Sequence, residues 1–364
     1  MASPTPTFVP AEAQPGARLS TLDRLLPVWI GLAMAAGLGL GRLLPGLDDW
    51  LDTIKVGTVS LPIALGLLSM MYPVLAKVRF SGLGDVTADR RMLGLSLVLN
   101  WVVGPALMFG LAWLLLPDLP EYRTGLIIVG LARCIAMVLI WNDLACGDRE
   151  AAAFLVAANS VFQIAAYSLL GYLYLDLLPS WLGLEQEALD VSAWEIAESV
   201  LVFLGIPLLA GFLTRLVGER RRGTEWYEQV FLPRVAPVAL YGLLSTIVVL
   251  FALQGDAITS EPFDVARIAL PLLAYFAIMW GASFAVGRRM GLPYERNATV
   301  AFTAAGNNFE LAIAVAIGVF GATSGQALAG VVGPLIEVPV LLGLVYVALW
   351  ARRRDHPGSG PPTR

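Results

Sequence analysis

Long apolar stretches recur along almost the whole sequence, and they constrain the fold more than any other feature. A helix that crosses a bilayer needs about 20 mostly apolar residues. The chain has 364 residues, of which 57% are hydrophobic and only 14% charged, and one soluble core cannot bury that much apolar surface. We therefore predict an all-α polytopic membrane protein with ten transmembrane helices. The predicted spans lie near residues 26–44, 58–76, 92–116, 123–145, 151–177, 194–216, 235–253, 265–287, 297–320 and 326–350.

The 24 Lys and Arg residues are distributed unevenly. Most of them lie in the two tails and in one alternate set of loops, which includes Arg220–Arg222 and Arg288–Arg289. The basic residues of the opposite loops are Arg42, Lys55, Arg123 and Arg267. Because basic loops remain in the cytoplasm, we expect a bacterial inner-membrane protein with both termini in the cytoplasm. An even number of spans agrees with that orientation.

The two halves of the sequence resemble each other at an offset of about 174 residues, which suggests an internal repeat. The paired positions are 61–69 with 236–245, Cys134 with Asn308, and Gln163 with Glu337. Each half contains five predicted spans, an odd number, so the second half is expected to be inverted, as in many secondary transporters. The predicted units are a disordered tail at 1–20, five-helix repeats at 21–180 and 190–354, and a second disordered tail at 355–364.

Several functional classes lack their motifs in this sequence. It contains no phosphate-binding P-loop, no metal-ligand cluster and no nucleophile elbow, so we expect neither an enzyme nor a cofactor. No basic block of the kind that binds nucleic acid occurs either. The remaining interpretation is a transporter in the lipid bilayer, which draws its energy from an ion gradient, from a partner ATPase or from the substrate gradient.

Polar residues inside the predicted spans form two clusters, and each is a hypothesis for a functional site because such residues are costly in a membrane. The first cluster lies about halfway along span four and the second in span nine, at Gly306–Glu310. Gly and Asn are poor helix formers, so we expect span nine to unwind locally and to free backbone groups near the bilayer midplane. The candidate substrate-binding residues are Cys134, Glu310, Arg133, Asn307, Asn308 and Trp141.

Cys134 suggests a substrate. A thiolate is a soft ligand and prefers soft acceptors, such as trivalent arsenic or antimony, and one thiol permits reversible capture. The alternative is a small packing residue. Cys146 follows 12 residues later, about 18 Å along a continuous helix, so the two thiols are not expected to hold one substrate, and Cys146 is interpreted as incidental.

Glu310 is the candidate for proton coupling. A carboxyl group at mid-depth can exchange a proton with either side of the membrane, as an antiporter requires. The alternative is a permanent ion pair with Arg133, and a pair that breaks on protonation would combine both roles. Glu337, between Pro334 and Pro339, is a second candidate for coupling.

Several motifs together resemble the arsenical-resistance-three family of arsenite efflux permeases. The resemblance runs from about residue 23 to residue 352, in order and at the expected spacing. The most specific motif is the one in span four. The matching stretches are Met70–Val78, Ala132–Val138, Trp141–Leu144, Gly147–Asp148, Phe302–Glu310 and Gly333–Pro339.

The resemblance implies a fold and an activity. It implies ten helices in two inverted five-helix repeats, with broken fourth and ninth helices that cross, as in the superfamily that also holds bile-acid sodium symporters. It implies export of arsenite, and in some members antimonite, coupled to the proton gradient, with Cys134 and Glu310 as transport residues. An arsenic-resistance ATPase as partner stays open.

A sodium-coupled symporter of an organic anion is the alternative on the same fold. The central thiol favours the arsenite carrier, because an organic anion has no need of a soft ligand.

Overall fold

A computed structural model describes most of the chain between residues 25 and 355. The described residues are 25–44, 46–47, 51, 53–56, 59–78, 90–184, 192–260 and 262–355. The predicted amino-terminal tail and, after Asp355, the predicted carboxy-terminal tail lie outside them.

The described part of the chain is almost entirely helical. The helices are α1 (Leu26–Leu43), α2 (Leu61–Ala76), α3 (Arg90–Leu115), α4 (Pro120–Leu131), α5 (Met137–Leu144), α6 (Arg149–Leu182), α7 (Trp194–Arg222), α8 (Thr224–Leu253), α9 (Gly255–Ser260), α10 (Pro262–Arg289), α11 (Tyr294–Ala305), α12 (Phe309–Phe320) and α13 (Gly325–Asp355). Two short antiparallel strands, β1 (Lys55–Val56) and β2 (Val59–Ser60), precede α2.

Six of these helices, α3, α6, α7, α8, α10 and α13, are long and apolar enough to cross a bilayer. Three shorter helices, α1, α2 and α12, are also apolar. Large apolar side chains remain exposed on the long helices, such as Leu114, Leu169 and Tyr346. Their exposure is favourable in a bilayer and unfavourable in water. The chain is therefore a multi-pass membrane protein.

Predicted spans four and nine are each interrupted. Span four divides into α4 and α5, with Ala132–Ala136 outside helical structure, and span nine divides into α11 and α12 at Gly306–Asn308. The expected unwinding of span nine is confirmed at the Gly-Asn-Asn run. Because span four is interrupted between Cys134 and Cys146, the separation of about 18 Å expected for a continuous helix does not apply to these two cysteines.

The boundary between α7 and α8 differs from the prediction. Arg220–Arg222 form the last turn of α7, and Gly223 alone separates that helix from α8, so the predicted loop from 217 to 234 is wrong. Gly223 has a φ of 85°, which favours glycine and ends the helix. The three arginines stay helical because cations are favourable at a helix carboxyl end.

The helices pack in two groups. The first bundle consists of α1, α2, α7 and α8, and the second bundle is built around α3, α4 and α10–α13. Within the first bundle, α2 and α8 cross at two glycines, since a Cβ built on Gly242 would lie 2.9 Å from the carbonyl oxygen of Gly66. Close backbone approach at small residues is typical of packed membrane helices.

Candidate functional site

The two interrupted helices cross through a short antiparallel bridge between Arg133 and Asn307. Backbone hydrogen bonds flank the bridge on both sides, from the N–H of Cys134 to the carbonyl of Gly306 at 3.3 Å and from the N–H of Asn308 to the carbonyl of Ala132 at 3.1 Å. Non-helical backbone is tolerated inside a membrane protein only where its polar groups are satisfied. The bridge therefore fixes both broken segments to each other.

Each bridge residue is also held by a side chain from another helix. Gln163 of α6 accepts a hydrogen bond from the backbone N–H of Arg133 through Oε1 at 2.8 Å. Glu337 of α13 accepts one from the backbone N–H of Asn307 through Oε1 at 3.3 Å. All four residues are buried. Gln163 lies in the first half of the chain and Glu337 in the second, and each accepts a hydrogen bond from one bridge residue.

The amino-terminal ends of α5 and α12 meet at the crossing, and they carry Cys134 and Glu310. The Sγ of Cys134 accepts a hydrogen bond from the backbone N–H of Val138 at 3.3 Å. Glu310 lies in the first turn of α12, which begins after Asn308, whose Oδ1 accepts the N–H of Leu311 at 3.1 Å. Helix amino-terminal ends carry partial positive charge, and both groups lie at such ends.

The guanidinium of Arg133 points elsewhere. Its Nη1 donates to the hydroxyl of Tyr275 at 2.9 Å and its Nη2 donates to the carbonyl of Gly130. Arg133 forms no ion pair with a described carboxylate, so the alternative of a permanent pair with Glu310 is wrong in this structure. Tyr275, on α10, was not predicted from the sequence, because a single tyrosine in an apolar span gives no signal there.

A cavity of about 750 Å³ lies between the two bundles. Its walls include Met70 and Leu240 from the first bundle, Glu310 from the second and Met137 from α5. Cys134 is only 2% exposed and immediately precedes residues 135–137 of the cavity wall, without lining the cavity itself. The carboxyl groups of Glu310 and Glu337 lie within electrostatic range of this thiol and of each other.

Charged residues line the end of the cavity where α2 and α7 finish and α8 begins. Arg215 donates to Glu219 at 2.7 Å and to Glu228 at 3.1 Å, and Arg215, Glu228 and the exposed Lys77 all line the cavity. Arg220–Arg222 lie at the same end of the molecule. The cavity thus extends from the end of the molecule that carries Lys77, Arg215 and Arg220–Arg222 to Glu310.

The remaining candidate residues are close to the crossing or on α5. Asn307 and Asn308 are buried, and the Nδ2 of each has no hydrogen-bond partner among the described residues. Trp141 is buried on α5 and its Nε1 likewise has none, but it does not line the cavity. Cys146 lies after the end of α5, with a φ of 56°, and both cysteines are free thiols.

Two crossing, interrupted helices with buried polar groups and a cavity beside them define a polytopic membrane transporter rather than an enzyme. Residues 64–261 match the model of the Sodium Bile acid symporter family. The chain belongs to this family and, by its identity to the curated relatives given next, to the Acr3 arsenical-resistance proteins.

The curated relatives extend over almost the whole chain. An arsenical-resistance protein Acr3 of Corynebacterium glutamicum is 62% identical over 94% of this chain and 93% of its own length. A second Acr3, of Alkaliphilus metalliredigens, is 31% identical over 92% of this chain and 94% of its own. An uncharacterised transporter of Synechocystis is 35% identical over 94% of each chain.

Proposed function

We propose that this protein exports trivalent arsenic from the cell as an arsenite/proton antiporter and so confers resistance to arsenic. The observation that carries the proposal is the placement of one soft thiol and one carboxyl group on the two helix ends that meet at the crossing. Cys134 is buried and immediately precedes three residues of the cavity wall, and Glu310 lines the cavity itself. Antimonite, which is chemically similar to arsenite, is expected to follow the same route.

Cys134 provides a reversible bond to the substrate. Arsenous acid, As(OH)₃, exchanges one hydroxyl for the thiol: an As–O bond breaks, an As–S bond forms, and the thiol hydrogen leaves with the hydroxyl as water. Soft thiolate donors suit this acceptor. Because a single cysteine takes part, water reverses the exchange, and the substrate is released on the other side.

Asn307 and Asn308 lie beside Cys134 at the crossing and carry hydrogen-bond donors, and Trp141 on α5 is a further candidate donor. The free Nδ2 groups of the two asparagines are suited to the remaining hydroxyl oxygens of the substrate, since buried donors without a partner are costly. Arg133 contributes through its backbone, which holds Cys134 at the bridge. The site therefore combines one covalent contact with several neutral hydrogen bonds.

Glu310 supplies the coupling. Arsenous acid is neutral near pH 7, so the membrane potential alone cannot drive it out, and an exchanged proton must. Glu310 is protonated in one half-cycle and ionised in the other, at the amino-terminal end of α12. Glu337, within electrostatic range of Glu310, is the second candidate for this exchange.

The fold that we propose has ten transmembrane helices in two inverted five-helix repeats, with α4–α5 and α11–α12 each forming one broken span. The two hydrogen bonds that flank the bridge support it, because the offset of about 174 residues converts one into the other. The offset also relates Gln163 to Glu337, which make equivalent bonds to the two bridge residues. A twofold axis through the crossing would produce this pattern.

We further propose that the protein lies in the bacterial inner membrane with both termini in the cytoplasm. The arginines at the end of α7 and the charged end of the cavity lie on one face, and basic faces remain inside. The cavity is then open to the cytoplasm, from which the substrate is loaded.

The test is arsenite uptake into everted membrane vesicles with and without an imposed pH gradient, in the absence of ATP. We expect the wild type to accumulate arsenite when the gradient is present and Glu310→Gln to lose that response. Uptake that depends on ATP would require a partner ATPase, and uptake that needs sodium and is indifferent to the pH gradient would favour the symporter alternative. Equal responses of wild type and Glu310→Gln would exclude Glu310 as the coupling group.

A further inference from the structure

The side chain of Arg133 is a fully buried cation with no anionic partner in the part of the chain that the structure describes. Arg133 is 0% exposed, and its guanidinium contacts only the hydroxyl of Tyr275 and the carbonyl of Gly130 among the described residues. The Nε has no hydrogen-bond partner within the described ranges. Burying an uncompensated charge is costly, so the surroundings must stabilise it by other means.

Helix carboxyl ends supply part of that stabilisation. Gly130 belongs to the last turn of α4, and Tyr275 lies within 3.5 Å of the carbonyl of Ala304, in the last turn of α11. The last carbonyl groups of a helix lack partners within it and carry partial negative charge. In membrane carriers such half-helix ends and unwound carbonyls coordinate cations. Cys134 and Glu310 lie at the opposite, amino-terminal helix ends.

Helix α3 leaves room for the guanidinium. A Cβ built on Gly104 would lie 2.5 Å from Nη1 of Arg133 and 3.1 Å from the hydroxyl of Tyr275, so only glycine fits. Asn100 is one turn earlier, on the same side of α3, and is completely buried with a free Oδ1. The surroundings of the guanidinium are therefore neutral oxygen acceptors, the ligand type that alkali cations prefer.

We infer that this pocket is a cation site which Arg133 occupies permanently, so that the crossing needs no free monovalent cation. Arg133 is then a positioning residue: its charge connects the carboxyl end of α4 through Tyr275 to the carboxyl end of α11. Removal of the side chain leaves the oxygens of Gly130 and Tyr275, and beside them that of Asn100, for a free cation such as methylguanidinium or sodium. The inference rests on the proposed transport function only for its transport measurement.

The first measurement is the thermal stability of the purified protein in sodium, potassium, choline and methylguanidinium chloride at equal ionic strength. We expect the wild type to melt at the same temperature in sodium, potassium and choline. Arg133→Ala should melt at a lower temperature in choline and rise by about 2 °C or more when sodium or methylguanidinium is added. Arg149→Ala, which removes an exposed arginine paired with Asp143, is the control and should show no such response.

The second measurement is arsenite transport in proteoliposomes. Arg133→Lys keeps the charge and should transport without any added cation, whereas Arg133→Ala should lose at least about tenfold in rate and regain much of it with the cation that stabilises it. If Arg133→Ala does not fold, Arg133→Gln serves as the uncharged variant.

Three results would overturn the inference. They are a wild type that is stabilised by sodium, an uncharged variant that is fully active and stable in choline, and a folded uncharged variant that no cation stabilises or rescues. If the wild type carries no arsenite, the proposed function fails, and the melting temperatures still decide whether the pocket binds a cation.

Discussion

Gly306 of the bridge packs directly against the side chain of Cys134. A Cβ built on Gly306 would lie 3.0 Å from the Cβ of Cys134 and 3.5 Å from its Sγ. The backbone of Gly306, with φ −71° and ψ 139°, is open to any residue. A methyl group here would press on the Cβ of Cys134 and on the carbonyl oxygen of Phe302, at 3.3 Å, so these neighbours and not the chain conformation favour glycine.

Gly306→Ala should therefore displace the thiol without unfolding the protein. We expect arsenite transport to fall by up to about tenfold, because a shift of a few tenths of an ångström is smaller than the misplacement of about 1 Å that costs about a hundredfold. The matched control is Gly281→Ala, because a Cβ on Gly281 would meet nothing within 4 Å. Equal transport by the two variants, measured in proteoliposomes, would show that the position of the thiol is unimportant.

The two cysteines should behave differently on substitution. Cys134→Ser keeps nearly the same volume and removes the soft donor, so export and cellular arsenite resistance should be lost or severely reduced. Cys146 lies away from the crossing, after α5, and Cys146→Ala should keep full resistance. Growth of an arsenite-sensitive strain carrying each variant gives the answer, and full resistance with Cys134→Ser would remove the thiol from the mechanism.

Apolar runs and weak helix formers predicted much of this architecture. The positions of the long helices follow from hydropathy, and the interruption of α11–α12 follows from Gly306 and the two asparagines after it. The residues of span four, Arg133 and Cys134 included, do not predict its interruption, because the bridge with span nine stabilises the break and local propensity does not.

Tertiary contacts also decided what the arginines do. One alternative from the sequence was an ion pair between Arg133 and Glu310, but the guanidinium donates to the hydroxyl of Tyr275, more than a hundred residues away in the chain. Likewise a loop was predicted at Arg220–Arg222, where Gly223 alone makes the turn between two helices. Such contacts depend on which helices become neighbours, and the pattern of residues in one sequence does not predict which helices these are.

The orientation in the membrane can be tested at the end of α7. Arg220 is exposed, so Arg220→Cys in a Cys146→Ala background introduces an accessible thiol, while Cys134 is buried. We expect an impermeant maleimide to label this thiol in everted vesicles and to leave it unlabelled in intact cells, because the basic end of the protein lies in the cytoplasm. Labelling in intact cells would reverse the proposed orientation.

Glu337 and Gln163 make equivalent contacts, and comparing them distinguishes two roles for Glu337, proton coupling and positioning of the bridge. Each side chain accepts the N–H of one bridge residue through Oε1, and in Gln163 an uncharged amide does so. If Glu337 only holds Asn307, Glu337→Gln should keep the bond, the melting temperature and the response to the pH gradient. Glu337→Leu should lose the acceptor and be destabilised by about 1–3 kcal/mol, the cost of a buried donor left without a partner.

The comparison with Gln163 makes this test decisive. Gln163→Leu removes the equivalent acceptor from the N–H of Arg133 and should lower the melting temperature by a similar amount, so it calibrates the structural cost. The informative measurement is the pH-gradient dependence of arsenite uptake by Glu337→Gln. If a folded Glu337→Gln protein transports arsenite at a rate independent of the pH gradient, Glu337 and not Glu310 is the coupling group. If uptake by Glu337→Gln still depends on the pH gradient, Glu337 only positions the bridge. Its equivalence to Gln163, which is uncharged, favours this result.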